Sequence, residues 1–156
     1  MIIGFTGHRE IGYDIPSLSY NYVYQETEKL LLELKPTKCI SGMALGYDQL
    51  AAVICFRLKI PVIAAIPFKG QESRWNSFQQ SIYQKMLNKT SEQIIVSEGE
   101  FSVEKMHLRN KYIVDNCDLL VACLHKNVFK GGTYNCVSYA KKTNKLCIII
   151  DPSIII

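Results

Sequence analysis

The chain has 156 residues, 48% of them apolar and 21% charged, with a formal net charge of +4. That composition excludes a disordered chain and is enough for one domain with one core. Its lysines and arginines are scattered, with no run of like charge, so nucleic acid is not expected as the main partner; a small anionic ligand suits the charge equally well.

In chain order, "MIIGFT" reads as a first strand and "PSLSYNYVYQETEKLLLELK" as a helix with Leu30, Leu31 and Leu34 on its apolar face. "KCIS" is a short second strand, followed by Gly42 and the helical "GYDQLAAVICFRLK". "IPVIAAIPF" is apolar throughout, as a strand covered on both faces should be, and "SFQQSIYQKMLNK" is helical. "EQIIVS" and "DLLVACL" are strands around the helix "SVEKMHLRNKYIVDNC"; "GTYNCVSYAKKTN" is a last helix and "KLCIII" a sixth strand. Strict alternation predicts an α/β fold: a Rossmann-like, doubly wound, mainly parallel six-stranded sheet with helices on both faces, over residues 1–156 as one domain. The apolar tail "DPSIII" is expected to pack onto the body rather than a partner subunit. Tyr13, Tyr20, Tyr22 and Tyr24 form either a subunit contact, a base-stacking wall or ordinary core, with the subunit contact narrowly favoured.

The first residues carry no basic n-region of a signal peptide, and the longest apolar stretch is too short to span a bilayer, so a cytoplasmic protein without a membrane partner is expected. The six cysteines form no CxxC pair and read as reduced thiols, mostly small core hydrophobes. Three dispersed histidines without HxxxH or HExxH spacing predict no metal site, and no cofactor is indicated.

In an open parallel sheet, ligands bind beyond the carboxyl ends of the strands. That rule selects five loops, and most of the glycines fall in them. "TGHRE" places Gly7, His8 and Arg9 at this edge, with Arg9 a bidentate partner for phosphate and His8 an acid, a base or a reader of base edges. "SGMALGYD" brings Ser41, Gly42 and Met43 to a helix N-terminus, a ready anion site, with Asp48 either capping the helix or reading a sugar hydroxyl. "KGQESRW" combines Lys69, Glu72, Arg74 and Trp75, so that an indole stacks on a base while charges read phosphate and ribose; Glu72 is the best-placed general acid or base. "GGT", Gly131 to Thr133, reads as a phosphate cradle, since glycines admit the phosphate to the backbone and threonine adds a hydroxyl. Lys105 and Arg109 share a helix face, whereas His107 reads as exposed or structural. Neither glycine loop is a Walker or GxGxxG motif.

Together, "GFTGHR", "SGMALGYDQLAA", "IPVIAAIPFKGQESRW", "EKMHLRNKYIVDNCDLLVA" and "GGTYNCVSYAKK" resemble the SLOG superfamily, from Ile3 to Pro152. This superfamily groups DprA/Smf proteins with the LOG cytokinin-activating phosphoribohydrolases, and the chain looks closest to the small stand-alone branch related to YspA and YpsA. The resemblance implies a nucleotide-derived ligand at the strand-end loops and a homo-oligomer. In LOG enzymes an arginine of an "MHxRK"-like segment and a glutamate of "PGGxGTxxE" cleave the N-glycosidic bond. "MHLRNK" keeps that arginine as Arg109, but Cys136 stands where the glutamate is expected. LOG-type hydrolysis is therefore not carried over unless Glu72 or Glu98 replaces that carboxylate, Asp48 being a weaker candidate. Catalytic roles fall to Glu72 and Arg109 only if the protein is an enzyme. The expected function is binding of an ADP-ribose-type or cyclic nucleotide, as sensor or sequestering protein. The alternative is N-glycoside hydrolysis of a nucleotide, and DprA-like single-strand DNA binding ranks third.

Overall fold

The computed structural model describes residues 1–10 and 18–154. Tyr13, one of the four clustered tyrosines, lies outside the described residues. The chain runs β1 (Ile2–Gly7), α1 (Leu18–Leu34), β2 (Lys38–Ser41), α2 (Tyr47–Arg57), β3 (Val62–Ile66), α3 (Ser77–Leu87), β4 (Glu92–Ile95), α4 (Val103–Asn116), β5 (Leu119–Cys123), α5 (Gly132–Lys142) and β6 (Leu146–Ile150). The six strands form one sheet in the order β4-β3-β2-β1-β5-β6, and every neighbouring pair is parallel. The alternation of apolar runs with amphipathic segments foretold this architecture.

The two faces are covered by different helices. Ile3 and Phe5 of β1, with Cys39, Val62 and Ala64, pack under Val23 and Leu31 of α1, Tyr47 and Ile54 of α2 and Tyr83 of α3. On the opposite face Ile40, Ile63 and Leu120 pack under Ile113 and Val114 of α4 and Cys136 and Ala140 of α5. Right-handed crossovers explain this division. Strands β1 to β4 march one way with their helices on one face, and the chain then returns past β1, placing α4 and α5 on the other. Strand order therefore reverses between β1 and β5, where Gly7 is in register with Cys123. The crevice beyond those strand ends is where such folds hold ligands.

Helix starts differ in ways that matter for the site. Helix α3 opens with a capping box in which Asn76 accepts from the Gln79 N–H and Gln79 from the Asn76 N–H. Ser102 caps α4 by accepting from the Lys105 N–H. Helix α5 begins at Gly131 with no side-chain cap. At the end of the described chain, Asp151 to Ser153 are half-buried, with Asp151 accepting from Ser153, while Ile154 is exposed.

Candidate functional site

A cavity of about 360 Å³ opens at the crevice between β1 and β5. Its walls come mainly from four places: Thr6 to Arg9 at the end of β1 and just after it, Ala44 and Asp48 at the start of α2, Met106, His107, Arg109 and Asn110 of α4, and Lys130 to Thr133 before and within α5. A second chamber of about 220 Å³ adjoins it, lined by Phe68, Gln71, Ser73, Arg74 and Trp75, and Arg9, Phe101 and Met106 line both. Arg74 lies over the Phe101 ring at 5.7 Å. One compartment is rich in N–H donors and cations, the other in aromatic surface.

The donors concentrate at α5. Gly131 holds φ 96°, a conformation that favours glycine, and a side chain there would meet nothing within 4 Å. Because no side chain caps the helix, its first-turn N–H groups stay available beside the Thr133 hydroxyl and Lys130. The Asn110 amide fixes this loop to α4 by donating to the Gly132 carbonyl.

Arg109 is 3% exposed yet lines the cavity. Its Nη1 donates to the carbonyls of Gly42 (2.7 Å) and Ala65 (3.3 Å), and its Nε to Asn110 Oδ1. Nη2 is left without a partner among the described residues. One side chain thus ties α4 to the ends of β2 and β3. Gly42 makes room for it, since a β-carbon there would fall 2.5 Å from Nη1 and 2.8 Å from Asp48 Oδ2.

This approach changes the meaning of "SGMALGYD". Ser41, Gly42 and Met43 lie beneath the site and line neither chamber. The Ser41 hydroxyl donates to the Asp48 carbonyl and accepts from the Met43 N–H, so it shapes the loop. The N-terminus of α2 lies against the neighbouring strand end, where the Tyr47 N–H donates to the His8 carbonyl. The strand end thus takes one of the donors expected to face an anion at α2.

Asp48 remains. It is 6% exposed and lines the cavity. Burial pushes its carboxyl up to about 6, against the opposing pull of Arg109, the Ala44 N–H and Arg9. His8 lines the cavity too, but its Nε2 accepts from the His125 N–H at 2.9 Å, stitching the β1 and β5 loops. Burial, then His125, holds its pKa below the ordinary histidine value, so its ring is neutral and the proton stands on Nδ1.

Of the remaining expected residues, Gly7, Arg9, Gly131, Gly132 and Thr133 line the first cavity, and Arg74 and Trp75 the second. Lys69, Glu72 and Glu98 line neither, and Glu72 forms no ion pair with Arg74. Cys136 is buried beneath the site, where burial pushes its thiol up to about 12, so it is protonated and no nucleophile. Sequence reasoning missed Phe68, Phe101, Met106 and Asn110. Phe101 and Val103, exposed apolar residues flanking the Ser102 cap, were the available signal. No cluster of His, Cys, Asp or Glu suited to a metal ion occurs among the described residues.

Residues 20–153 match the family described as the YspA SLOG family. The chain is 39% identical over 132 residues to the SPbeta prophage-derived protein YoqJ of Bacillus subtilis (strain 168), covering 74% of this chain and 76% of that protein. Its fold resembles DNA processing protein A from Helicobacter pylori, a protein with a single-stranded DNA binding mode, with TM-score 0.68 and 19% identity over 96% of this chain and 64% of that one. DNA processing protein A from Streptococcus pneumoniae gives TM-score 0.63 and 18% identity over 97% of this chain and 50% of that one. The chain thus spans between half and two-thirds of those proteins' length, and at such identities the likeness is one of fold. With its ordered motifs, six-stranded parallel sheet and family match over 134 residues (20 through 153), the chain belongs to the YspA SLOG family.

Proposed function

We propose that the cleft binds a nucleotide or nucleotide-derived signalling ligand of the ADP-ribose or cyclic type, and that the protein acts as its sensor or sequestering partner. The observation that carries this reading is the pairing of compartments at the sheet's switch point. The uncapped α5 N-terminus, Lys130, Arg9 and the free Nη2 of Arg109 suit a phosphate. The adjoining chamber, with Phe68, Trp75 and Phe101, suits an aromatic base. The cavity volumes fall in the range of small-molecule sites.

Holding is favoured over cutting because the two stronger candidates for glycosidic chemistry, Glu72 and Glu98, stand outside both chambers and Cys136 is a buried thiol, which leaves the weaker candidate, Asp48, as the carboxylate in the cavity wall. Single-strand DNA binding draws support from the DNA processing proteins only through a shared fold.

Incubation with NAD, ADP-ribose, cyclic ADP-ribose isomers and purine monophosphates, then filtration and mass spectrometry of both fractions, tests the reading. The expected result is an intact ligand retained with the protein and released unchanged on denaturation. Free base or ribose phosphate in the filtrate makes the protein a glycosidase instead, and retention of none of the panel removes the nucleotide reading.

A further inference from the structure

Asp48 is a charged side chain in the cleft that the fold leaves poorly satisfied. Its Oδ2 accepts one long hydrogen bond, 3.4 Å, from the Ala44 N–H, and its buried Oδ1 accepts none. A carboxylate at this depth ordinarily collects several donors. Arg109 does not supply them, since its Nη1 and Nε are committed to Gly42, Ala65 and Asn110, and it forms no ion pair with Asp48 within 4 Å. Helix capping does not explain the side chain either: its recorded bond goes to Ala44, outside α2, and the Ser41 hydroxyl binds its backbone carbonyl.

Among the described residues no further donor reaches Asp48, and the cavity that it lines gives the missing donor an approach. A cationic donor is disfavoured there by the charges of Arg9 and Arg109, both of which act on Asp48. An exocyclic amine of a stacked base is seated beyond Arg9, Phe101 and Met106, in a chamber that Asp48 does not line. A neutral hydroxyl within the phosphate-binding compartment is what remains, and a sugar phosphate carries one. Torsion about Cβ–Cγ is soft, so either carboxylate oxygen can turn to meet it.

We propose that Asp48 accepts a hydrogen bond from a ribose hydroxyl of the bound nucleotide, so that the cleft selects ribonucleotides over their deoxy counterparts; the assignment rests on the nucleotide reading above. It also predicts a pH signature. The groups acting on Asp48 are Arg109 of α4, Arg9 of the β1 loop, the Ala44 N–H, Tyr47 of its own helix and the Cys136 thiol of α5, while His8, His107 and Lys130 share the cavity. A donating hydroxyl favours the ionised carboxylate, so discrimination is greatest above about pH 6 and fades as pH falls through it. Comparing ribo and deoxy ligands at each pH cancels titration of His8 and of the phosphate, whose second ionisation also lies near 6.

Calorimetric titration with AMP, its 2′-deoxy and 3′-deoxy forms and an oligo-dT strand tests this on the whole chain. In the wild type near pH 7.5, AMP is expected to bind about tenfold or more tighter than at least one deoxy form, the worth of a hydrogen bond to a charged group. That ratio should shrink several-fold near pH 5 and in both Asp48→Asn and Asp48→Ala, two variants that guard against failure of one to fold. Equal affinity for AMP and both deoxy forms overturns the Asp48 assignment and leaves the nucleotide reading intact. Discrimination that survives in the two variants overturns it as well. Binding of oligo-dT alone, or of nothing in the series when the filtration panel is also not retained, removes the nucleotide reading and the assignment with it.

Discussion

Asp48 has a consequence for stability that runs opposite to its proposed use. Its carboxyl sits near 6 in the folded protein against 3.8 for the free group, so the folded state holds the extra proton between those values. Stability contributed by that protonation is present at low pH and is lost as pH rises through about 6, for a cost of up to about 3 kcal/mol above it. Asp48→Asn is therefore expected to raise the melting temperature near pH 7.5 and to leave it unchanged near pH 4, which calorimetry at the two pH values checks. His8 has the opposite slope: its pKa is lowered from 6.5, so stability falls as pH drops below that value. Comparing variant with wild type removes this shared term. Arg109→Leu should lower stability by on the order of 2 kcal/mol or more, because the Gly42 and Ala65 carbonyls lose their donor and Asp48 its counter-charge; chemical denaturation measures it. Composition of the loops revealed that these residues cluster at one edge of the sheet, but not their orientation. Glu72 belongs to a dense polar loop, yet nothing in "KGQESRW" dictates which of its side chains turn inward.

Two glycine-bearing loops looked alike as sequence and part company as elements. The β2–α2 loop uses Gly42 to admit Arg109, a residue 67 positions away, and the Tyr47 N–H of its helix start is taken by the His8 carbonyl. No local pattern encodes that visit, so Ser41, Gly42 and Met43 read as ligand residues in the sequence, whereas they lie buried beneath the cavity and line neither chamber. The β5–α5 loop is tied to β1 through His125 and His8, but at the start of α5 the Asn110 amide donates to the Gly132 carbonyl and leaves the helix N–H groups open. There the local pattern foretold a glycine start, and the helix indeed opens at Gly131 without a side-chain cap. A β-carbon at Gly132 would find only Asn110 Nδ2, 4.0 Å away, so Gly132→Val should fold normally. Its branched side chain crowds the helix start, and ligand retention should fall at least about tenfold by the filtration assay if phosphate sits there. Unchanged retention would move the phosphate elsewhere.

At the scale of the whole molecule, alternation of strands and helices foretold the doubly wound sheet, since fully buried strands such as β3 and β5 must read as continuous apolar runs. The position of the order reversal was not legible, because nothing local to β5 states that it lies beside β1. An exposed apolar face made by Tyr20, Val53 and Phe78, beside a groove of about 410 Å³ between α1, α2 and α3, is where the homo-oligomer implied by the family resemblance has its candidate contact. Light scattering is expected to give a dimer or larger assembly for the wild type and a smaller one for Phe78→Glu. The open start of α5 has one more implication. The segment before it exposes Lys126, Phe129 and Lys130. Trypsin should nick the empty protein there first, and a seated phosphate should shield that bond, turning a timed digest into a screen for the unknown ligand that requires no knowledge of its identity.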